Sequence, residues 1–589
     1  MAVAITDAST RIPDIQPIWH RSAPRRLIDK CGENGPLGDW NAWQNHLAWR
    51  QGPAQPPFVD GREPAILWGW PAEFVDADLN NPAIWMDVEP FPDRPELPQV
   101  LQLLALAYSL PKLSGLLPAD VWWKLIERLQ ELIPETEPYQ GDWHARPNDV
   151  LRYQMLAGEL PLALGYLFPE ICSLRALRTS ARATFSEAIV AVTDGAGLPH
   201  ARLLPVLGPL FACWTRARWL GAKMARGAWS RQAENQYRWL VRRAIRLSEM
   251  DGRFLLTPDD STSRWSKPLF AMALDLAGDE ADCAAAAIAL PSGVVPKSMQ
   301  CDREKLPKPS LDSDWSGISV LAAGWSQSAP RLAVAYADDP IRIDLSARGQ
   351  SLFAGTWSIE TECDGKPAQV AGEWENLCWQ SDKHCDYLEL SVPLSEGLRL
   401  ERQLLLAHED QVLYLADIVV SIDGRARRIK HSFGLPLVEN VILRPEADTR
   451  DGLLRAGGFR AAVLPLALPE WRIDPRGGTL SEEQGRLVLT QESTGRAMCC
   501  PLFFDLKPKR SKKERTWRQL TVAEWMEVLP RDVAVGFRAQ SGGRQWLIYR
   551  SLGPTGNRTV LGHNIAGEFC AGRFRPSGKF KEWLEIESA

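Results

Sequence analysis

Apolar residues recur with two different periods along this chain, and the change falls after residue 290. Before it the period is that of a helix. Leu97–Lys112 is apolar almost all round, as a helix buried between layers must be. Pro118–Leu132 sets Val121, Trp122, Leu125, Leu129 and Leu132 on one stripe behind a starting proline. Further helices are predicted over Pro147–Leu167, Leu174–Thr193, Ala201–Lys223, Trp229–Met250, Trp265–Ala277 and Asp279–Ala289. Short turns of Gly, Pro and Asp join them, which implies stacked helical hairpins. No fixed-period repeat is evident, so a toroid fits better than a regular solenoid.

Beyond Pro291–Ser313, a run rich in Pro, Lys, Asp and Ser, the period becomes two. Ile318–Ala323, Arg331–Tyr336, Ile341–Phe353, Tyr387–Val392, Leu398–Leu406 and Val412–Val420 read as strands, the last two joined by a polar turn at His408–Gln411. Strand-like runs continue to Ile565, with one helical interruption expected at Val522–Leu529. Many strands without long helices between them indicate an antiparallel sandwich. The predicted fold class is α+β and multidomain. A Pro-, Gly- and Trp-rich extension, 1–95, packs on an (α/α) toroid-like helical domain, 96–290; a linker, 291–315, leads to a large antiparallel β-sandwich, 316–589.

Composition narrows the function classes. At 589 residues a sizeable core is assured, and 45% hydrophobic with 24% charged residues is ordinary for a globular protein. A formal net charge of −5 supplies no global attraction to nucleic acid or anionic membranes, so neither is an expected partner. The basic run Lys507–Arg518 reads as a solvated loop between strands. The 11 Cys are odd in number and lack a CxxC pair, which suggests reduced, buried thiols; Cys499 and Cys500 should point to opposite faces of one strand. Neither a charged, apolar leader nor a bilayer-spanning run is visible, and the expectation is a cytoplasmic protein. No Walker loop, Rossmann glycine pattern, nucleophile elbow or metal-ligand spacing stands in a fitting context, so no cofactor or metal is expected. The 25 Trp residues suit stacking on sugar rings, or equally the filling of helical layers.

Candidate chemistry gathers between Gly141 and Arg218. The run GDWHARPND, Gly141–Asp149, brings Trp143, His144 and Asn148 to a helix entrance, with Tyr153 one turn further on. The run DGAGLPH, Asp194–His200, uses two glycines for a tight turn and then presents His200 at the next helix start, a placement that favours the neutral, basic imidazole. Arg202, Trp214, Arg216 and Arg218 follow; paired guanidinium donors suit carboxylate or sulfate groups. A second polar loop before a helix, Thr257–Pro268, offers Asp259, Asp260 and Arg264. Each has a plainer reading: Asn148 as an N-cap, Tyr153 as a core ring, and the arginines as a solvated helix face.

Two sandwich segments carry a resemblance. YADDPIRIDLSARGQSLFAGTW, Tyr336–Trp357, places Asp339 before an alternating strand, a Gly349 turn and a closing Gly355-Thr356; LRLERQLLLAHEDQVLYLADIVV, Leu398–Val420, is followed by HSFGLP, His431–Pro436. With the helical half before them, these make the chain resemble the heparinase II/III-like polysaccharide lyases over about residues 97–565. The His-x-His pair of that family falls on Ala335 and Ala337 here. The resemblance implies an incomplete toroid joined to a sandwich, with an acidic polysaccharide or oligosaccharide held between them. It also implies eliminative cleavage: a donor neutralises the uronate carboxylate, and a His or Tyr removes the C5 proton. Carried over, His200, Tyr153, His144 and His431 are the catalytic candidates, with His384 in reserve. Asn148, Arg202, Arg216, Trp143, Trp214, Asp259 and Arg264 would bind substrate. Two alternatives stay open: a non-catalytic carbohydrate-binding or scaffolding relative, and a hydrolase pairing Asp259 or Asp260 with Asp142 or Asp194.

Overall fold

The structure, a computed structural model, describes residues 25, 39–50, 95–133, 146–258, 265–474, 477–575 and 577–587. Most of the predicted extension therefore lies outside the described residues. The chain divides into two compact units, Met1–Leu306 and Pro307–Ala589, and the division falls inside the predicted linker.

The first unit is helical. Ala119–Glu131 buries Trp122, Ile126 and Leu129, the stripe its sequence predicts, and the Trp122 indole N–H donates to the Leu110 carbonyl (2.8 Å) of the neighbouring Leu97–Leu113 helix. Side-chain caps fix later starts: Ser230 accepts from Ala233 N, Ser266 from Leu269 N, and Asp279 forms a capping box with Asp282. Two predicted helices are not continuous. Pro147–Leu167 is an α-helix to Tyr153, a π-helical stretch over Gln154–Glu159 and a second α-helix over Leu160–Leu167. Ala201–Lys223 opens as a 3-10 turn, Ala201–Val206, before the Leu207–Ala222 helix, because Pro205 lacks the N–H that an α-turn would use.

The second unit is built from antiparallel sheets. Its centre is an eight-stranded sheet in the order Val441–Pro445, Gly452–Ala456, Phe459–Pro465, Ala497–Asp505, Val412–Ser421, Leu398–Ala407, Cys385–Leu394, Glu375–Ser381. The predicted hairpin pairs Leu398 with Ser421 and Ala407 with Val412. Both faces of this sheet are covered. Leu388, Leu390, Leu404, Leu415 and Cys500 enter one core with Ile429 and Phe433 of the Arg427–Pro436 strand. Tyr387, Leu405, Tyr414, Ile418 and Cys499 enter another with Phe537, Trp546, Ile548 and Phe569. Cys499 and Cys500 thus do point to opposite faces. Two-sided burial also explains why these strands read as nearly continuous apolar runs.

Two strand-level expectations are corrected. Ile341–Phe353 is not one strand: it turns at Arg348 and Gly349, both with positive φ, between Arg342–Ala347 and Gln350–Thr356. Val522–Leu529 is not a helix but a tight hairpin of Ala523–Glu524 and Glu527–Val528. Its apolar spacing imitates a helical stripe, yet only Val522 is buried; Trp525 and Met526 form the turn and are 89% and 99% exposed. The basic run is partly structural as well. Arg510 pairs with Asp505 (2.5 Å) and Arg515 with Asp451 (2.9 Å).

Candidate functional site

The π-helical stretch Gln154–Glu159 organises the interior of the helical unit. A wider turn re-aims the side chains it carries, and all six of its residues are buried. Gln154 accepts the Trp214 indole N–H. Glu159 accepts from Arg216 at both carboxylate oxygens, with Nη2 2.6 Å from Oε2, and from the Tyr108 hydroxyl at 2.8 Å. Burial pushes the Tyr108 phenol well above its ordinary range and the Glu159 charge adds to it. Burial works against the Arg216 cation, but the Glu159 carboxylate outweighs it and holds the guanidinium charged. The adjacent Cys213 thiol is raised by burial first and Glu159 second, so it stays protonated.

The turn before His200 is closed by its own polar groups. The Asp194 carboxylate accepts from Ala196 N and Leu198 N, each at 2.8 Å, and Thr193 bridges to Pro199. Gly197, at φ +78, sits so close to the Arg231–Leu247 helix that a Cβ would lie 2.6 Å from the Gln236 carbonyl oxygen. His200 then caps the 3-10 turn, its Nδ1 accepting from Arg202 N at 3.3 Å, and is 5% exposed. That turn packs against the Pro147–Tyr153 helix, which makes the carriers of His200, Arg202, Asn148 and Tyr153 spatial neighbours. Asn148 is exposed in the first turn of its helix, and Arg202 and Tyr153 are half-buried. Burial raises the Tyr153 phenol; a hydrogen bond with Thr184 opposes that shift.

Several sequence assignments are therefore corrected. Trp214, fully buried with its indole N–H on Gln154, is a core residue and has no face for a sugar. Arg216 does not clamp a substrate carboxylate, because Glu159 already does the pairing. Arg218 pairs with Glu234 at 2.8 Å. His431 is fully buried in the sandwich unit, with Nδ1 2.8 Å from Thr361 Oγ1 and Nε2 3.0 Å from Asp417 Oδ2. Asp194, one candidate of the hydrolase pair, holds its own turn. Asp142, Trp143, His144, Asp259, Asp260 and Arg264 lie outside the described residues. The sequence reading missed Glu159, Tyr108 and Gln154. A signal existed: Glu159 is the one acid in the apolar run Met155–Leu167.

His431 belongs to a polar network that joins two sheets of the sandwich unit. Asp417 also receives Arg402 Nε and Nη2, both at 2.8 Å, and the Arg402 guanidinium lies 3.6 Å over the Trp357 ring. Burial pushes the Asp417 carboxyl up, but the Arg402 charge and the hydrogen bonds from Arg402 and His431 bring it down to about 2. On the opposite face of the central sheet, Arg550 is buried between Glu389 (2.6 Å) and Glu401 (2.8 Å). Among the described residues no group of three or more His, Cys, Asp or Glu could hold a metal ion, and no helix is long and apolar enough to cross a membrane.

No protein-family model matches the chain, and no curated protein matches it by sequence. Solved structures do match. The heparan sulfate lyase HepC from Pedobacter heparinus is 11% identical with a TM-score of 0.54, over 94% of this chain and 85% of that one. The chain has a heparinase III-like fold. The heparinase III-BT4657 gene product agrees, at 10% identity and a TM-score of 0.55 over 94% of this chain and 86% of its own. A further heparinase III structure, 10% identical, matches over 82% of this chain and 80% of its own at 0.54. At this identity the likeness to heparinase III is one of fold: a helical region followed by antiparallel sheets. It assigns no residue a role.

Proposed function

We propose that this protein binds an acidic, uronate-containing polysaccharide on a heparinase III-like fold and does not cleave it by elimination. The observation that carries the reading is the fold match to a heparan sulfate lyase over 94% of the chain. Binding is preferred to cleavage because elimination needs a carboxylate neutraliser and a base that the substrate can reach. Arg216 is paired with Glu159, and His431 is sealed between Thr361 and Asp417. The family's paired His positions are Ala335 and Ala337. Asn148, exposed in the first turn of its helix, and the half-buried Arg202 are carried on neighbouring elements and are the groups proposed to meet an anionic glycan.

A lyase reading has one observation in its favour: the packing of the Pro147–Tyr153 helix on the 3-10 turn puts the carriers of Tyr153 and His200 side by side. One experiment separates the two. A panel of uronate polymers is added to the full chain while melting temperature and near-ultraviolet absorbance are followed. The binding reading expects a rise in melting temperature with at least one polymer, a smaller rise in Asn148→Ala and Arg202→Ala, and no new absorbance. A growing 4,5-unsaturated uronate signal that is lost in His200→Ala and Tyr153→Phe would establish the lyase instead. No melting shift with any uronate polymer would overturn the acidic-glycan assignment.

A further inference from the structure

The sandwich unit has a cleft of about 910 Å³ that the reading above does not use. Its size lies in the range of pockets that bury small ligands. Met498, Val535 and Phe537 give it an apolar floor, while Glu492, Ser493, Thr494 and Gln519 give polar walls. Trp471 lines it and is 52% exposed, unlike the buried Trp517 of the same lining.

The loop that carries Trp471 is tied down on both sides. Trp471 bridges to Thr449, Arg450 N donates to the Glu470 carbonyl (2.9 Å), and Arg472 N donates to that of Asp448 (2.9 Å). The Arg450 side chain holds the Asp474 carbonyl at 2.5 Å. The indole is therefore presented on a segment, residues 470–474, held by these hydrogen bonds, which lowers the entropy cost of using it as a stacking platform. Ile473, 93% exposed, extends the apolar surface of the same loop. Gln491, in the wall and 7% exposed, donates to the Cys499 carbonyl, but its Oε1 accepts from no described residue.

The charges of the wall select the ligand class. Carboxylates in the lining (Glu470, Asp474, Glu492, Asp532) outnumber its guanidinium groups (Arg518, Arg531). Arg518 is already paired with Glu470, and Arg428 and Arg496 from beside the cleft pair with Glu492 and Asp532. Cations held by carboxylates do not draw in a polyanion, whereas ion-pair arrays and amides both donate to and accept from hydroxyl groups. An aromatic face between such walls fits the apolar face and hydroxyl rim of a pyranose ring.

We infer that this cleft is a second, separate glycan site that takes an uncharged oligosaccharide, with a sugar ring stacked on Trp471. It does not depend on the acidic-glycan reading. The test is calorimetric titration of the full chain with cellohexaose, xylohexaose, mannohexaose and chitohexaose, with a galacturonate hexamer as the anionic comparator. At least one neutral hexaose binds, Trp471→Ala weakens it tenfold or more, and Trp471→Phe, which keeps an aromatic face, stays within about threefold of wild type. Glu492→Gln weakens the same hexaose several-fold, and the uronate-polymer melting shift is unchanged in Trp471→Ala. Absence of binding by all four neutral hexaoses, unaltered binding in Trp471→Ala, or displacement of the neutral hexaose by the galacturonate hexamer would overturn the assignment. Because the uronate shift is read separately, failure of either glycan site leaves the other standing.

Discussion

Glu159 and Arg216 form a charge pair inside the helical unit, 0% and 5% exposed at their side chains, with Tyr108 as the third member. The pair fixes the π-helical stretch to the Leu207–Ala222 helix. It also occupies the Arg216 guanidinium with a carboxylate of the chain's own.

Breaking the pair from one side leaves a buried, uncompensated carboxylate. Arg216→Met is expected to cost about 3–5 kcal/mol, and Glu159→Leu combined with Arg216→Met should recover most of that loss. Chemical denaturation of the three proteins, followed by far-ultraviolet circular dichroism, measures both. A single variant as stable as wild type would show the pair to be solvated.

The Asp417 carboxyl titrates at about 2 in the folded protein, against an ordinary value of 3.8. A depressed folded-state value means stability that is present above pH 4 and lost as pH falls towards 2. The shift corresponds to about 2 kcal/mol. The stability difference between wild type and Asp417→Asn should shrink by about that amount between pH 5 and pH 2. A difference that stays constant over this range would place the depression elsewhere.

The two glycines of the turn before His200 should behave oppositely. A Cβ at Gly195 meets nothing within 4 Å, so Gly195→Ala is expected to change stability by less than about 1 kcal/mol. At Gly197 a Cβ meets the backbone of the Arg231–Leu247 helix at 2.6 Å with φ at +78, and Gly197→Ala should cost about 3 kcal/mol. Thermal melts of the two variants side by side decide it.

Trp525 and Met526 form a two-residue hairpin turn with φ of 52 and 67, a conformation that suits Asn and Gly. Replacing the pair by Asn-Gly is expected to stabilise the sandwich unit by about 1–2 kcal/mol, since almost no buried apolar surface is lost. A fall in melting temperature would mean that the exposed pair packs against something.

Much of the candidate site was illegible from the chain because the residues with evident chemistry are the ones the interior uses. His431, Trp214 and Arg216 look like ligand groups when read in order. Their partners, Asp417, Gln154 and Glu159, are 14, 60 and 57 residues away. Asn148, His200, Arg202 and Tyr153 fared differently: helix-entry signals placed the first three at element starts and Tyr153 one turn beyond, and the fold made those elements neighbours.

The sequence by itself determined which half is helical and which is stranded, where the Leu398–Val420 hairpin turns, and that Cys499 and Cys500 face opposite ways. Periodicity and turn chemistry are local, so they are written within a few residues. Tertiary structure alone decided that the central sheet is buried on both faces and that the helical pattern of Val522–Leu529 is a hairpin. It alone decided which carboxylate neutralises which arginine. Those outcomes depend on what covers each face and on groups brought together from distant positions, and desolvation, not spacing along the chain, makes such pairings obligatory.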